Sequence, residues 1–200
     1  MQDSHNINKD IELAKTKHKE GKLNEADAIY KKLFQQKIYK YDLLISCALF
    51  NIDLKRYELA KELLKFSIGK YPKKIQLYLL LAEILRIEQK FKDSEKTLFI
   101  ARDINKGNSD IYYKLSILYL NTKNYNEGIK NIDNAITLNP NNFLYYILKA
   151  DIFFNQANYI KAKNTLSKIN VSEKSSLFFQ KELLLSKIYL NTSDYRQAEV

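Results

Sequence analysis

The residues that could do chemistry are few, and their spacing does not fit a reaction centre. Glu83 and Asp151 could be imagined as paired carboxylates, but they lie far apart in the chain with no histidine or metal cluster beside them. Acid–base catalysis needs such groups within hydrogen-bond reach of one substrate. A phosphate-binding loop needs several glycines near a helix start, and the four glycines are scattered: Gly21, Gly69, Gly107 and Gly128. We therefore expect no enzyme, and we interpret both carboxylates as solvated charges.

Cysteine and histidine are equally sparse. Cys47 is the one cysteine in the sequence, which excludes an intrachain disulfide, and only His5 and His18 accompany it. This set is too small for a zinc or haem site. Cys47 falls at a core-facing position of a predicted helix, so we interpret it as a buried structural thiol. We expect no cofactor and no metal.

The formal net charge is +10, which raises the question of a nucleic-acid partner. The basic residues are 29 Lys and 4 Arg, and the lysines are scattered along the chain. Phosphate and base readers rely on arginine and on clustered charge. Solvated surface lysines are therefore the favoured interpretation, with RNA binding as a weaker alternative. The polar N-terminus lacks a signal-peptide core, and the longest apolar run is too short to cross a bilayer. We expect a cytoplasmic chain without membrane insertion.

A repeated pattern organises the sequence. A large apolar or aromatic residue recurs at spacings of 34, 34, 34, 34 and 36 residues: Leu23, Tyr57, Phe91, Tyr125, Tyr159 and Tyr195. A small residue lies three positions after each one: Ala26, Ala60, Ser94, Gly128, Ala162 and Ala198. Another lies nine positions before each one: Ala14, Ala48, Ala82, Ser116, Ala150 and Ser186. A fixed period of this length is typical of repeat proteins.

Each repeat reads as a helical hairpin. Apolar residues recur at three- and four-residue steps, as in Leu77, Leu81 and Ile84, with a break near Gln89 and Lys90. Small residues at matching positions of two helices let the backbones approach closely, and the aromatic residue at the turn fills the space beside them. Proline near the end of the second helix, at Pro72 and Pro140, cannot continue it.

This pattern resembles the tetratricopeptide repeat in its 34-residue period, its two small residues, its aromatic turn residue and its terminal proline. The resemblance implies an all-α, right-handed superhelical solenoid with the first helices on the concave side. Stacking buries a continuous core that no single hairpin could form. After a disordered tail over 1–6, we expect an array over 7–200 with these blocks: 7–40, 41–74, 75–108, 109–142, 143–178 and a partial block 179–200. The final block lacks a capping helix, so we expect the chain to be truncated or to associate through this open end.

The resemblance also implies which side chains line the inner face. They are Ile45, Leu49, Ile52, Leu79, Glu83, Arg86, Tyr113, Ile117, Leu120, Ile147, Asp151 and Phe154. This predicts an apolar groove for an extended peptide or an amphipathic helix of another protein. The alternative is that some of them, especially Leu120 and Phe154, complete the packing between hairpins. An exposed apolar strip of this length favours the groove.

Chaperone-binding relatives hold a terminal carboxylate with lysine, asparagine and arginine donors. The matching positions here carry Ile11, Lys15, Ser46, Gln76 and Leu80, or one block later Ile45, Leu49, Leu80, Asp110 and Lys114. Neither set can form that clamp. Two functions stay open. The chain is either a non-catalytic interaction scaffold or the N-terminal substrate-recognition arm of a larger transferase-type enzyme, because the block EGKLNEADAIYKKLF resembles repeats that precede transferase domains.

Overall fold

The computed structural model describes residues 2–170, 172 and 175–192. Eleven helices span these residues: α1 Gln2–Lys19, α2 Leu23–Gln35, α3 Tyr41–Asp53, α4 Tyr57–Lys70, α5 Ile75–Ile87, α6 Phe91–Ile104, α7 Ser109–Asn121, α8 Tyr125–Leu138, α9 Phe143–Asn155, α10 Tyr159–Leu166 and α11 Ser176–Asn191. Strands are absent from the described ranges. The all-α fold class is therefore confirmed, with consecutive helices packed as hairpins.

The described chain divides into two compact units. Unit 1 runs from Met1 to Glu88 and contains α1–α5, and unit 2 begins at Gln89 and contains α6–α11. In unit 1, α1 packs on α2 and α3, and α4 packs on α3 and α5. In unit 2, α7 packs on α6, α8 and α9, while α9 also packs on α8, α10 and α11. Each unit therefore has its own succession of hairpins.

The repeated large residue marks the start of every second helix in the described part of the chain. Helices α2, α4, α6, α8 and α10 begin at Leu23, Tyr57, Phe91, Tyr125 and Tyr159. The four aromatic members are half-buried, but Leu23 is 39% exposed and fills little space at its turn. Tyr195 and Ala198 lie outside the described residues.

A left-handed residue precedes each of these helix starts by two positions. The residues and their φ angles are Gly21 at 74°, Lys55 at 56°, Gln89 at 59°, Lys123 at 58° and Ala157 at 57°. Only the first is glycine, the residue for which this backbone region carries no steric cost. The turn is thus imposed by the packing of the helices, since four of its five residues have no intrinsic preference for that conformation.

The small residues occupy the interior, as the hairpin hypothesis requires. Of the eleven that the structure describes, ten are buried: Ala14, Ala26, Ala48, Ala60, Ala82, Ser94, Ser116, Gly128, Ala150 and Ala162. Ser186 is half-buried. Where the pair is Ser116 and Gly128, the serine Oγ donates to the glycine carbonyl at 2.8 Å, so its hydroxyl is satisfied inside the core. A Cβ at Gly128 would lie 3.3 Å from Ile152 Cδ1, which explains why the smallest residue stands there.

Tyrosines near the start of the first helices secure the loops between hairpins. The Tyr78 hydroxyl donates to the Pro72 carbonyl at 2.9 Å, and the Tyr112 hydroxyl donates to the Lys106 carbonyl at 3.0 Å. The two bonds are 34 residues apart in the sequence and join equivalent positions. Asn108 and Asn142 cap α7 and α9 by accepting from Asp110 N and Leu144 N.

The outer elements differ in extent from the predicted blocks. Helix α1 begins at Gln2, within the segment expected to be a disordered tail, and α11 begins at Ser176 rather than at 179. Helix α10 has 8 residues, whereas α8 has 14. The fifth hairpin therefore has a short second helix and a long connection to α11, consistent with its departure from the 34-residue period.

Candidate functional site

The predicted groove residues of unit 1 lie on α3 and α5 with unequal exposure. Leu49 is 38% exposed, and Ile45 and Ile52 are half-buried. Leu79 is only 3% exposed and offers almost no surface to a partner. Glu83 and Arg86 are joined by an ion pair of 2.6 Å between Oε1 and Nη2. Each charge therefore already has a counterion, and neither is presented as an isolated group.

Unit 2 has a pocket of about 250 Å³ that brings three predicted groove residues together: Tyr113, Ile147 and Asp151. Tyr113 stands on α7, and the other two stand one turn apart on α9. The Tyr113 ring lies 5.1 Å from the Tyr145 ring, which fixes its position at the pocket wall. Three of the predicted site residues therefore share one cavity.

Six further residues line this pocket and were missed from the sequence: Leu144, Leu148, Gln180, Leu183, Leu184 and Lys187. Four of them belong to α11, whose block was expected to begin only at 179 and was given no groove positions. Leu183 is 60% exposed, although it is large and apolar. The run of leucines in ELLLSK was the signal that could have identified this wall.

The remaining predicted residues of unit 2 pack on its cores. Ile117 and Leu120 contact the cluster around Ile132 and Tyr145, and Phe154 contacts the cluster around Leu166 and Ile188. Ile52 of unit 1 packs in the same way, against the cluster around Leu64 and Leu77. These contacts favour the packing interpretation for Leu120 and Phe154.

Asp151 and Lys187 are the two charged residues that line this pocket. Burial raises the pKa of its carboxyl, and the opposing effects of the Lys187 charge and the hydrogen bond from Asn155 are smaller. The Asn155 Nδ2 donates to Asp151 Oδ1 at 3.2 Å. Ionised Asp151 therefore destabilises the folded chain slightly.

We expect Asp151→Asn to raise the melting temperature at neutral pH. The gain in free energy of unfolding should stay below about 1 kcal/mol, because solvent screens this half-buried site. A folded-state pKa above the unfolded value means that the carboxyl favours folding when it is protonated and opposes folding once pH rises through the folded pKa. The difference in melting temperature between the Asp151→Asn chain and the unchanged chain should therefore become smaller as pH is lowered. Thermal melts of both chains across acidic and neutral pH would measure it. A gain that stayed constant with pH would contradict this account.

A second pocket, of about 320 Å³, lies in unit 1 among α1, α2 and α3. It is lined by Lys15, His18, Lys19, Tyr30, Ser46, Leu49 and Asp53. Lys15 pairs with Glu12 at 2.7 Å, and His18 Nε2 lies 3.1 Å from Asp53 Oδ2. Leu49 is the one residue of the predicted groove at this pocket.

Cys47 lies in the core of unit 1. Cys47 is 7% exposed, and burial raises the pKa of its thiol to about 12. The thiol is therefore protonated at neutral pH and lacks the activation of a nucleophile. Within the part of the chain that the structure describes, no three metal-binding side chains cluster, and no helix is long and apolar enough to cross a membrane.

Comparison with known proteins agrees with this architecture. The sequence profile of the tetratricopeptide repeat family matches residues 109–142, which contain α7 and α8. The crystal structure of a tetratricopeptide repeat protein from Parabacteroides merdae superposes with a TM-score of 0.80 over 96% of this chain and 75% of that one, at 18% identity. Residues 109–142 therefore match a tetratricopeptide repeat, and the described chain has the fold of tetratricopeptide repeat proteins. Pseudomonas aeruginosa PilF has the same fold, with a TM-score of 0.76 over 99% of this repeat protein and 89% of PilF, at 14% identity.

Among curated proteins, this chain is similar to the human protein O-mannosyl-transferase TMTC1. The two are 25% identical over 148 residues, which is 74% of this chain. The chain spans only 16% of the length of that transferase. The structural likenesses establish the fold, and they do not assign a partner.

Proposed function

We propose that this repeat protein is a non-catalytic scaffold that binds a peptide or helix of another protein on the surface of its first helices. Tetratricopeptide repeat proteins are generally interaction scaffolds. Support comes from the pocket among α7, α9 and α11, where Leu144 and Leu183 are 36% and 60% exposed. Large apolar side chains grouped at a pocket rather than scattered singly are typical of an interaction surface.

The chemistry of this pocket favours an apolar anchor, since the Lys187 ammonium group lines it beside the Asp151 carboxylate. Tyr113, Leu144, Ile147 and Leu183 supply apolar contact, and Asp151 supplies one carboxylate. A leucine-sized side chain that is fully buried contributes roughly 1.5–3 kcal/mol. In unit 1, the proposed surface comprises the exposed parts of α3 and α5, at Ile45, Leu49, Ile52, Glu83 and Arg86. In the proposed repeat register, blocks begin at 41, 75, 109 and 143. The first helices of these blocks are α3 and α5 in unit 1 and α7 and α9 in unit 2.

The test uses Leu183→Ser, because this side chain is exposed and its loss should leave the fold intact. Short random peptides displayed on phage would be selected on the full chain, and the selected peptides would then be titrated by calorimetry. We expect Leu183→Ser to weaken binding about tenfold, which is the loss of roughly 1.4 kcal/mol of apolar contact.

Leu190→Ser is the matched control for that experiment. Leu190 lies on the same helix α11 and is 53% exposed, but it does not line the pocket. It should bind the selected peptides like the unchanged chain. Equal binding by all three proteins would place the peptide site elsewhere and refute the proposed surface.

The similarity to TMTC1 favours a second function, in which the chain is the substrate-recognition arm of a larger transferase-type enzyme. The proposed peptide surface would then hold the acceptor protein for a catalytic domain. The complete gene sequence discriminates the two, since only the second requires a transferase domain on the same polypeptide. Cytoplasmic location and association through the C-terminal end stay predictions, and the latter concerns residues 193–200, outside the described ranges.

A further inference from the structure

One edge of unit 1 carries a group of lysines, which we call the basic edge. They lie in the loop between α2 and α3, in the last two turns of α4 and in the loop between α4 and α5: Lys37, Lys40, Lys65, Lys70, Lys73 and Lys74. The stretches that contain them, residues 28–41 and 63–82, include no aspartate or glutamate. Positive charge is therefore concentrated in these two stretches.

Aromatic contacts bring the segments of the basic edge together. The Tyr39 ring lies 5.2 Å from the Phe66 ring, and the Tyr41 ring lies 5.6 Å from the Tyr71 ring. The Tyr71 hydroxyl also donates to the Tyr39 carbonyl at 3.0 Å. The loop between α2 and α3 is thus fixed against the end of α4, so its lysines lie beside those of α4 and of the following loop.

The charge of the basic edge remains positive when the neighbouring carboxylates are counted. Four acidic residues border the two stretches: Asp27, Asp42, Glu62 and Glu83. Asp27 pairs with Lys31 at 2.6 Å, and Glu83 pairs with Arg86 at 2.6 Å. Asp42 and Glu62 are exposed. Six lysines against these two carboxylates leave a net charge of +4.

Helix α1 adds no free carboxylate where it meets the basic edge. Lys40 Nζ donates to Asn8 Oδ1 at 3.0 Å, and this amide is neutral. Asp10, the next acidic residue along α1, pairs with Lys32 at 3.2 Å. Among the residues that the structure describes, no carboxylate forms an ion pair with a lysine of the basic edge. The surface is therefore complementary to an anionic partner.

The aromatic rings beside the basic edge already carry lysines over one face. Lys70 Nζ lies 5.4 Å from the centroids of two rings, those of Tyr39 and Phe66. Lys74 Nζ lies 4.8 Å from the centroid of the Tyr41 ring. Single-stranded nucleic acids bind by stacking their bases on open ring faces, and phosphate recognition favours arginine, which the basic edge lacks. These features disfavour a nucleic acid.

An anionic lipid surface matches the same features. Its negative potential attracts lysines without the fork geometry of arginine, and flexible lysine stems let the ammonium groups reach the headgroups. Phe66 is 42% exposed beside Lys70, and a ring of this kind favours the boundary between headgroups and acyl chains.

We propose that the basic edge binds the surface of an anionic membrane, with its lysines at the headgroups and Phe66 at the boundary with the acyl chains. This proposal goes beyond the scaffold function and does not depend on it, because none of its residues belongs to the proposed peptide surface.

Sedimentation of the full chain with lipid vesicles tests the proposal. Vesicles of phosphatidylcholine with about one-third phosphatidylserine would be compared with vesicles of phosphatidylcholine alone. We expect binding to the anionic vesicles, little binding to the neutral ones, and weaker binding as salt is raised, because salt screens surface charges. Equal binding to both kinds of vesicle, or no binding to the anionic kind, overturns the proposal.

The double variant Lys37→Gln with Lys73→Gln removes two exposed charges of the basic edge. Binding to the anionic vesicles should weaken about 25-fold, since each lysine near such a surface contributes about fivefold. Lys96→Gln with Lys130→Gln is the matched control: it removes the same charge on α6 and α8, where the side chains are 78% and 70% exposed. The control should stay within about twofold of the unchanged chain. Equal losses would show that net charge alone acts, which overturns the proposal.

Phe66→Ser tests the apolar contact independently of charge. It should weaken binding to the anionic vesicles about fivefold, because part of one phenylalanine side chain no longer leaves water. Phe179→Ser, at a ring that is 65% exposed on α11, is the matched control and should bind like the unchanged chain. Binding is compared at a temperature at which circular dichroism shows every variant to be folded. A Phe66→Ser chain that binds like the unchanged chain overturns the assignment to a membrane.

Single-stranded polyuridylate provides the remaining comparison. It should bind more weakly than the anionic vesicles. Tighter binding of polyuridylate that is lost in the Lys37→Gln, Lys73→Gln chain would overturn the proposal and assign the basic edge to nucleic acid. Peptide binding that depends on Leu183 should be the same in all of these variants, so failure at the basic edge is distinguishable from failure of the scaffold function.

Discussion

Replacing Phe50 by alanine should lower the free energy of unfolding by about 3–5 kcal/mol, the usual cost of removing a fully buried phenylalanine. Phe50 is 0% exposed in the core of unit 1, among Ile11, Leu33 and Leu43. Its removal deletes the ring contacts to Tyr30 and His18 and leaves a cavity that helices α1 and α3 cannot close without shifting. Since folded domains are stable by roughly 5–15 kcal/mol, this is a large share of the total. Denaturant unfolding followed by circular dichroism would measure it.

Phe179→Ala is the control for the same chemical change at the surface. Phe179 is 65% exposed on α11, and its ring contacts only the neighbouring Phe178 at 6.0 Å among the described ring pairs. Its effect should stay below about 1 kcal/mol. Similar losses for the two variants would mean that Phe50 does not occupy a packed core.

Replacing Ala82 by leucine should destabilise the chain by about 1–3 kcal/mol, because extra methylene groups in a packed interior displace their neighbours. Ala82 is 1% exposed at the middle of α5, at one of the small-residue positions. The larger side chain cannot be accommodated by rotation into water. The chain should keep its helical circular dichroism at low temperature and melt earlier.

Ala28→Leu provides the comparison on α2, where alanine is exposed. Leucine and alanine are both good helix formers, so this change should stay within about 0.5 kcal/mol. An Ala82→Leu chain with an unchanged melting midpoint would show that the close approach of helices assigned to this position is wrong.

The hairpins were predictable because their positions are determined by volume and period. Residues such as Ala48 and Ala150 are small because two helices contact each other there. The same contact recurs every 34 residues, so the same restriction on side-chain volume recurs in the sequence. The extents of α1 and α11 were not predictable in this way. Their blocks carry Asp10 and Glu182 where the inner blocks carry Tyr78, Tyr112 and Tyr146, so the pattern gives no register for their first residues.

The candidate sites were only partly predictable. Tyr113, Ile147 and Asp151 follow from the register of α7 and α9, and the structure places them at one pocket. Leu183 and Lys187 reach that pocket from α11, a helix whose placement depends on tertiary packing after an irregular loop. The missing hydrogen-bond partner of the Tyr30 hydroxyl among the described residues could not be predicted from the sequence. Whether a buried tyrosine hydroxyl has a partner depends on tertiary contacts and not on the residue type.

The single thiol of this chain has a practical consequence. Cys47 lies in the unit 1 core with Asn51 Nδ2 3.6 Å from its Sγ, so reagents reach it only when that core opens. The rate at which Cys47 is alkylated therefore measures how often unit 1 opens. Mass spectrometry can follow this rate without an engineered label. A ligand that binds beside α3 and stabilises unit 1 should lower the alkylation rate of Cys47. This effect can be measured in a cell extract as well as with the purified protein.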